Sequence, residues 1–129
     1  MVVYLRIEQV MAAHDRVLEA HGGLAGVRDL GRLEAAVAMP RGTFSGQFLH
    51  PSPQAMAAAY RFHITQAHAF IDGNKPTAVT CAFSFLLGNG LNIQASEDEL
   101  FDLTVAIADH RRSKEEVTAF FESRIAARE

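Results

Sequence analysis

The chain has 129 residues, of which 49% are hydrophobic and 21% are charged, and this balance is typical of one globular domain that can bury its own core. The formal net charge of -3 gives no overall positive field, which disfavours non-specific binding to nucleic acid. The longest mainly apolar run, 79–87, is far shorter than the roughly 20 residues of a membrane-spanning helix. Residues 1–5 are too short for a signal peptide. We therefore predict a single cytosolic domain over residues 1–129, without membrane association.

The N-terminal part of the chain predicts one clear helix. Residues 2–5 favour an extended conformation but have no obvious partner strand, so they predict a weak strand at best. From Ile7 to about His21, apolar residues recur at intervals of three and four before Gly22 and Gly23 stop the helix. His14 and His21 lie on or beside this apolar stripe. No second ligand accompanies them at a metal-binding spacing, so we predict a hydrogen-bonded, partly buried role for both.

A second helix is predicted after Asp29, whose carboxylate suits an N-cap, and it ends before Met39. The segment 40–53 follows. It contains three prolines and two glycines without a helical period, so it predicts a long loop. Two interpretations of this loop stay open: a functional flap, or a surface loop held in the core by Phe44 and Phe48. The second helix has a predicted inner face of Leu30, Leu33, Ala36 and Val37.

The middle of the chain predicts a pair of helices joined by a polar segment. Ser52 followed by Pro53 is typical of a helix start. The run 77–87 is apolar nearly all round, which predicts the central helix of an all-α bundle, with Pro76 as its first residue. Cys81 lies within that run, so we predict a buried, inert thiol. The third helix is expected to bury one side, formed by Met56, Tyr60, His63, Ile64 and Ala67.

The C-terminal part contains two capping boxes, 96–99 and 113–116, each of which predicts a helix start. The segment 91–93 before them predicts an extended link. We expect no internal repeat and fraying of 126–129. The two helices have predicted inward residues Leu100, Leu103, Val105 and Ile107 in the first, and Val117, Phe120, Phe121 and Ile125 in the second.

The polar segment 68–76 reads His-Ala-Phe-Ile-Asp-Gly-Asn-Lys-Pro and leads into the central helix. Free N–H groups and the positive end of the dipole favour a phosphate at such a helix start. Phosphoryl transfer also needs a base, a cation and hydrogen-bond donors. The candidates are His68 as the base, Asp72 as a Mg²⁺ ligand, and Gly73, Asn74 and Lys75 as phosphate contacts.

Each of these residues also has a purely structural interpretation. Asp72 can cap the next helix, His68 can bond to the backbone, and Lys75 can be solvated. Phe70 is expected to anchor the segment in the core rather than take part in chemistry. For one residue alone we favour the structural interpretation, whereas the combination favours a phosphate-handling site.

His68, Phe70, Asp72, Asn74 and Lys75 resemble the H-x-F-x-[DN]-x-N-K-R signature of death-on-curing (Doc) toxins, a branch of the Fic fold. The order of helices and loops is similar from Tyr4 to about Phe121. The resemblance implies a kinase in which ATP or another nucleoside triphosphate donates phosphate with Mg²⁺ held by Asp72. It also implies that His68 activates a target hydroxyl while Asn74 and Lys75 contact phosphate.

The resemblance further implies the partners of such a toxin. The target is translation elongation factor Tu, a small antitoxin holds the toxin inactive, and contact with DNA occurs only through that antitoxin. Fic enzymes that transfer AMP carry glycine at the position of Lys75, so the lysine favours a kinase. The loop 40–53 becomes the flap beside the active site, with Thr43, Phe44, Ser45 and Gly46 as its target-binding residues.

One position departs from the signature, because Pro76 stands where the family has arginine. The bidentate guanidinium contact with phosphate is lost, and proline also removes an N–H from the helix start. Lys75 now precedes a proline, which predicts an extended backbone and a redirected side chain. We therefore predict an attenuated or inactive kinase. Two alternatives remain, a catalytically dead protein that binds the antitoxin and a Fic-type AMP transferase.

Overall fold

The structure, a computed structural model, describes residues 1–93, 115–116, 119, 122–123 and 125–127 of the chain. Four α-helices dominate the continuous described range 1–93, which confirms the predicted helical fold. Their bounds are α1 Ile7–His21, α2 Leu30–Ala38, α3 Pro53–Ala67 and α4 Asn74–Gly88.

Helix α4 lies at the centre of the described bundle. It packs along α3 and also contacts α1, while α2 packs on α3. Three consecutive alanines of α3, 57–59, are fully buried, and such small side chains let neighbouring helices approach closely. Within the described ranges no helix is long and apolar enough to cross a bilayer. The predicted central helix is thus confirmed, although it is longer than 77–87.

The helix starts follow the local signals of the sequence. The Asp29 carboxylate accepts a hydrogen bond from the N–H of Arg32 at 3.0 Å, and the Ser52 hydroxyl accepts one from Ala55 at the same distance. Both predicted N-caps are confirmed. The expectation that Leu30 lies on the inner face of α2 is wrong, since the first residue of the helix points to solvent and is 51% exposed. The buried face of α2 consists of Leu33, Ala36 and Val37.

Residues 2–5, for which the sequence predicted a weak strand at best, form no strand in the described part of the chain. The side-chain amide of Asn89 takes the place of a partner strand, accepting from the Val3 N–H at 2.8 Å and donating to the Val3 carbonyl at 2.9 Å. The N–H of Leu5 donates to the Tyr60 hydroxyl at 2.9 Å. Single side chains therefore fix the entry of the chain to the bundle.

The loop after α2 contains regular structure that its composition did not indicate. A 3₁₀ turn, Met39–Arg41, leads into a hairpin of β1 Thr43–Phe44 and β2 Gln47–Phe48. Ser45 and Gly46 at its tip have φ of 53° and 79°, as a type I′ turn requires. Phe44 is 74% exposed and Phe48 is 53% exposed, so the interpretation that they hold the loop in the core is wrong.

The second small sheet corrects the expectation for the C-terminus. Strand β3, Leu91–Ile93, pairs antiparallel with β4, Ile125–Ala127. The assignment of Ile125 to a helical stripe is therefore wrong, and residues 126–127 belong to a strand rather than to a frayed end. Glu115 and Glu116 are helical. The other predictions for 94–114 and for positions 117, 120 and 121 lie outside the described residues.

Candidate functional site

The polar segment links the end of α3 to the first turn of α4, and left-handed residues bound its loop. His68 ends α3 with φ 47° and ψ 42°, and Gly73 precedes α4 with φ 80°. A left-handed backbone is uncommon for residues other than glycine, so surrounding contacts must hold His68 in place.

One edge of this loop is held by main-chain hydrogen bonds with the segment 26–29. The N–H groups of Arg28 and Asp29 donate to the Ala69 carbonyl at 2.6 and 3.1 Å, and Ile71 donates to the Gly26 carbonyl at 3.1 Å. Val27 forms an antiparallel bridge with Phe70 between them. The candidate site is thus built on a short β-like pairing that sequence analysis missed.

The other edge of the loop is held by the side chain of Asn74. Its Oδ1 accepts from the Phe70 N–H and its Nδ2 donates to the Phe70 carbonyl, each at 2.9 Å. Phe70 is fully buried, which confirms its predicted role as an anchor. Nδ2 retains a second hydrogen for a phosphate. Phosphate binding by Asn74 remains a prediction, while its part in shaping the loop is a structural finding.

His68 presents its side chain at the surface, as the base of a bimolecular transfer must. Its carbonyl accepts a hydrogen bond from Nη2 of Arg28 at 3.2 Å. Arg28 is exposed, and its guanidinium therefore lies at the backbone of the candidate base. No sequence motif marks Arg28, and only the pairing of 26–29 with the loop brings it here.

Asp72 is held through its carboxylate and through its backbone. Oδ2 accepts from the Leu24 N–H at 2.7 Å, and the Asp72 carbonyl is 2.7 Å from Nε2 of His14. The side chain is exposed. Gly23 lies against it, since a Cβ added there would come within 3.1 Å of the Asp72 Cβ. The connection between α1 and α2 therefore needs a glycine where it passes the carboxylate.

The surroundings of Asp72 fit a Mg²⁺ ion, with Oδ1 as the oxygen not engaged by Leu24. Across the described residues, no three His, Cys, Asp or Glu side chains converge as a metal cluster. A metal at Asp72 would therefore take its other ligands from phosphate oxygens and water. Mg²⁺ commonly binds in this way, with one or two carboxylates and several waters.

Lys75 and Pro76 lie inside the first turn of α4, which begins two residues before the predicted start at Pro76. Lys75 is helical and exposed, so the expected extended backbone before the proline is wrong. The left-handed Gly73 and the bonds between Asn74 and Phe70 fix this turn against the local preference. Pro76 fits because N–H groups in the first turn have no acceptor within the helix.

The first turn of α4 presents two N–H groups that are not used within the helix, and phosphate binding by them stays a prediction. The N–H groups of Asn74 and Lys75 precede the first intrahelical bond, which Thr77 makes to the Gly73 carbonyl at 3.1 Å. Proline supplies no third donor. The structure thus brings His68, Asp72, Gly73, Asn74, Lys75 and Pro76 together in one continuous segment.

The predicted flap residues Thr43, Phe44, Ser45 and Gly46 belong to the separate β1–β2 hairpin. All four are exposed.

Cys81 lies in α4 and is only 2% exposed. Burial raises the pKa of its thiol to about 12, in keeping with the predicted inert role. His14, by contrast, is a buried histidine whose contacts lead directly to the site.

Known proteins resemble this chain over most of its length. Residues 4–86 match the model of the Fic/DOC family. A protein from Mycolicibacterium smegmatis named Toxin Doc is 41% identical over 98 residues, which cover 76% of this chain and 73% of that protein. A protein from Escherichia phage P1 named Protein kinase doc is 35% identical over 101 residues, covering 78% of this chain and 79% of the phage protein.

Proposed function

The chain belongs to the Fic/DOC family, and on this premise we propose that it is a Doc-type toxin built as a protein kinase. The proposed reaction transfers phosphate from ATP or another nucleoside triphosphate to a hydroxyl of translation elongation factor Tu, which blocks translation. The observation that carries the proposal is the continuous segment 68–76, which joins an exposed histidine and an exposed carboxylate to the helix start that carries Lys75. The name of the phage P1 relative supports kinase chemistry.

The residues take distinct parts in the proposed transfer. His68 accepts the proton of the attacking hydroxyl. Lys75 and the free N–H groups of the first turn stabilise negative charge on the phosphate oxygens, and Asn74 contributes its remaining amide hydrogen. Asp72 would hold Mg²⁺, which neutralises charge on the phosphates when bound. The exposed β1–β2 hairpin is the proposed contact for the protein target.

Pro76 lowers the rate of this reaction. A guanidinium acting on a transferring phosphate is worth about 10³ to 10⁵ in rate in other phosphoryl-transfer enzymes. Of the three effects expected of Pro76, two apply: the guanidinium is missing and one N–H is missing. The third, an extended backbone at Lys75, does not apply, because Lys75 is helical. A weakened kinase is therefore the proposed state of this site.

Pro76 also favours a second candidate function, a protein that binds the antitoxin without catalysis. Under both functions the partner is a small antitoxin, the location is the cytoplasm, and contact with DNA occurs only through that antitoxin. AMP transfer is less well supported, because Lys75 occupies the position that is glycine in AMP-transferring relatives. Phosphate transfer to the protein target separates the two leading candidates, because only the kinase performs it.

The test restores the missing residue with Pro76→Arg and removes the base with His68→Ala. With labelled ATP and elongation factor Tu, phosphate transfer should rise at least roughly 10³-fold in the arginine variant. Adding His68→Ala should abolish it, and growth arrest on induction should follow the same order. Equal transfer by the wild-type protein and the Pro76→Arg variant would show that this position does not limit the reaction. Transfer that persists without His68 would refute the mechanism.

A further inference from the structure

His14 is a buried polar residue that the proposed reaction does not use. It lies in the middle of α1, is only 3% exposed, and is 58 positions from its hydrogen-bond partner, the Asp72 carbonyl. A carbonyl can only accept, so Nε2 of His14 must carry the hydrogen. The 2.7 Å separation marks a short donor–acceptor contact.

The ring of His14 also supports the loop from below. It stacks on Phe70 with 3.8 Å between the ring centroids and 10° between the planes. Its Cδ2 lies 3.5 Å from where a Cβ on Gly73 would be. The side chain of His14 therefore lies against three residues of the loop: the ring of Phe70, the carbonyl of Asp72 and Gly73.

We propose that His14 is a positioning residue: its Nε2–H group fixes the Asp72–Gly73 peptide, and that peptide directs the Asp72 carboxylate. The carboxylate is then held between two points, the His14 donor behind it and the Leu24 N–H on Oδ2. Oδ1 is left for a cation. The assignment of that cation as Mg²⁺ rests on the proposed function, whereas the positioning of Asp72 does not.

The two features of the imidazole can be separated by substitution. His14→Phe keeps a ring that can stack on Phe70 but has no donor. His14→Gln loses the ring but keeps an N–H donor at a similar reach. His21→Gln is the matched control, since His21, at the end of the same helix, is exposed; the prediction that it is partly buried is wrong.

The first measurement is amide hydrogen exchange in the protein without nucleotide. The Leu24 amide reports on Asp72 because it donates to Oδ2, and the Gly22 amide, bonded to the Leu18 carbonyl at 2.8 Å, reports on the end of α1. His14→Phe should make Leu24 exchange at least about tenfold faster while Gly22 stays unchanged. His14→Gln and His21→Gln should remain near the native rate.

The second measurement is Mg²⁺-dependent ATP binding in the Pro76→Arg background. Loss of a group that orients a metal ligand commonly costs about 10- to 100-fold in metal affinity, so His14→Phe should raise the half-saturating Mg²⁺ concentration by that factor. His14→Gln should restore most of the affinity. If His14→Phe does not fold, His14→Leu, which also lacks a donor, replaces it in both measurements.

The outcomes separate this proposal from the proposed function. Unchanged Leu24 protection in the donor-free variant, or equal loss in His14→Phe and His14→Gln, would overturn the positioning role. Absence of Mg²⁺-dependent ATP binding in the Pro76→Arg protein would count against the proposed function, and the exchange of Leu24 would then decide the role of His14 alone.

Discussion

Arg61 lies in the core of the bundle, and its removal should stabilise the protein. The residue is 1% exposed, and its Nε and Nη1 atoms have no hydrogen-bond partner among the residues that the structure describes. Burial lowers the pKa of its guanidinium to about 9. Compared with an ordinary value near 12.5, this corresponds to a penalty on the order of 5 kcal/mol on the charged form at neutral pH.

The substitution Arg61→Met removes the charge and keeps a long, flexible side chain in the same space. Replacement of buried charged groups by apolar ones of similar volume has stabilised proteins by about 1 to 4 kcal/mol, so we expect a gain in this range. The corresponding rise in Tm is roughly 3 to 15 °C for a chain of this size. Thermal and urea unfolding at pH 7, followed by circular dichroism, measure it.

The stability advantage of Arg61→Met over the wild-type protein should decrease as the pH rises above 9. Below pH 9 the guanidinium is protonated in both folded and unfolded states, and the whole penalty is present. Above pH 9 the folded protein releases the proton while the unfolded chain retains it, so the wild-type penalty falls. At pH 10 the difference in unfolding free energy between the two proteins should shrink by about 1 kcal/mol.

Two controls define the result of this experiment. Arg61→Lys keeps a buried charge and should gain no stability, while Arg16→Met changes an exposed arginine and should stay within about 0.5 kcal/mol. A methionine variant that is less stable than the wild type at pH 7 would refute the reasoning, because it would mean that the guanidinium is paired in the folded protein.

Two further substitutions probe the connection between α1 and α2 and the hairpin. Gly23→Ala should lower stability in thermal unfolding by about 1 to 3 kcal/mol, since φ is 117° and the new Cβ would meet Asp72. Gly22→Ala is its control, with open space around the Cβ; an equal loss there would exclude the contact as the cause. Phe44→Ser should change stability by less than about 0.5 kcal/mol in urea unfolding, because the ring is exposed. A loss of several kcal/mol would place Phe44 in the core.

The helix boundaries that sequence analysis predicted correctly depend on contacts between near neighbours. Asp29 and Ser52 cap helices through N–H groups three residues away. The predicted start of α4 is misplaced because the left-handed Gly73 and the amide of Asn74 together override the preference of the residue before Pro76. The order of residue types does not reveal the left-handed conformation of Gly73 or the hydrogen bonds of the Asn74 amide, so the start of α4 could not be predicted from it.

The parts of the site that sequence analysis missed depend on residues far apart in the chain. Arg28 reaches His68 across 40 positions, and Leu24 reaches Asp72 across 48. Only a weak signal exists for them, the cluster of glycines at 22, 23 and 26, all of which have positive φ. For His14 the signal is stronger, since a histidine on an apolar stripe needs a hydrogen-bond partner.

The pairing between 26–29 and the loop 69–71 separates the shape of the loop from the side chain at position 28. Its hydrogen bonds join backbone atoms, and Arg28 is exposed whereas Val27 packs against the core, so position 28 can change without loss of the pairing. Substitution there can change the charge beside His68 while the loop keeps its shape. Replacement of Arg28 would therefore remove the bond from its Nη2 to the His68 carbonyl and leave the main-chain bonds that hold the loop in place.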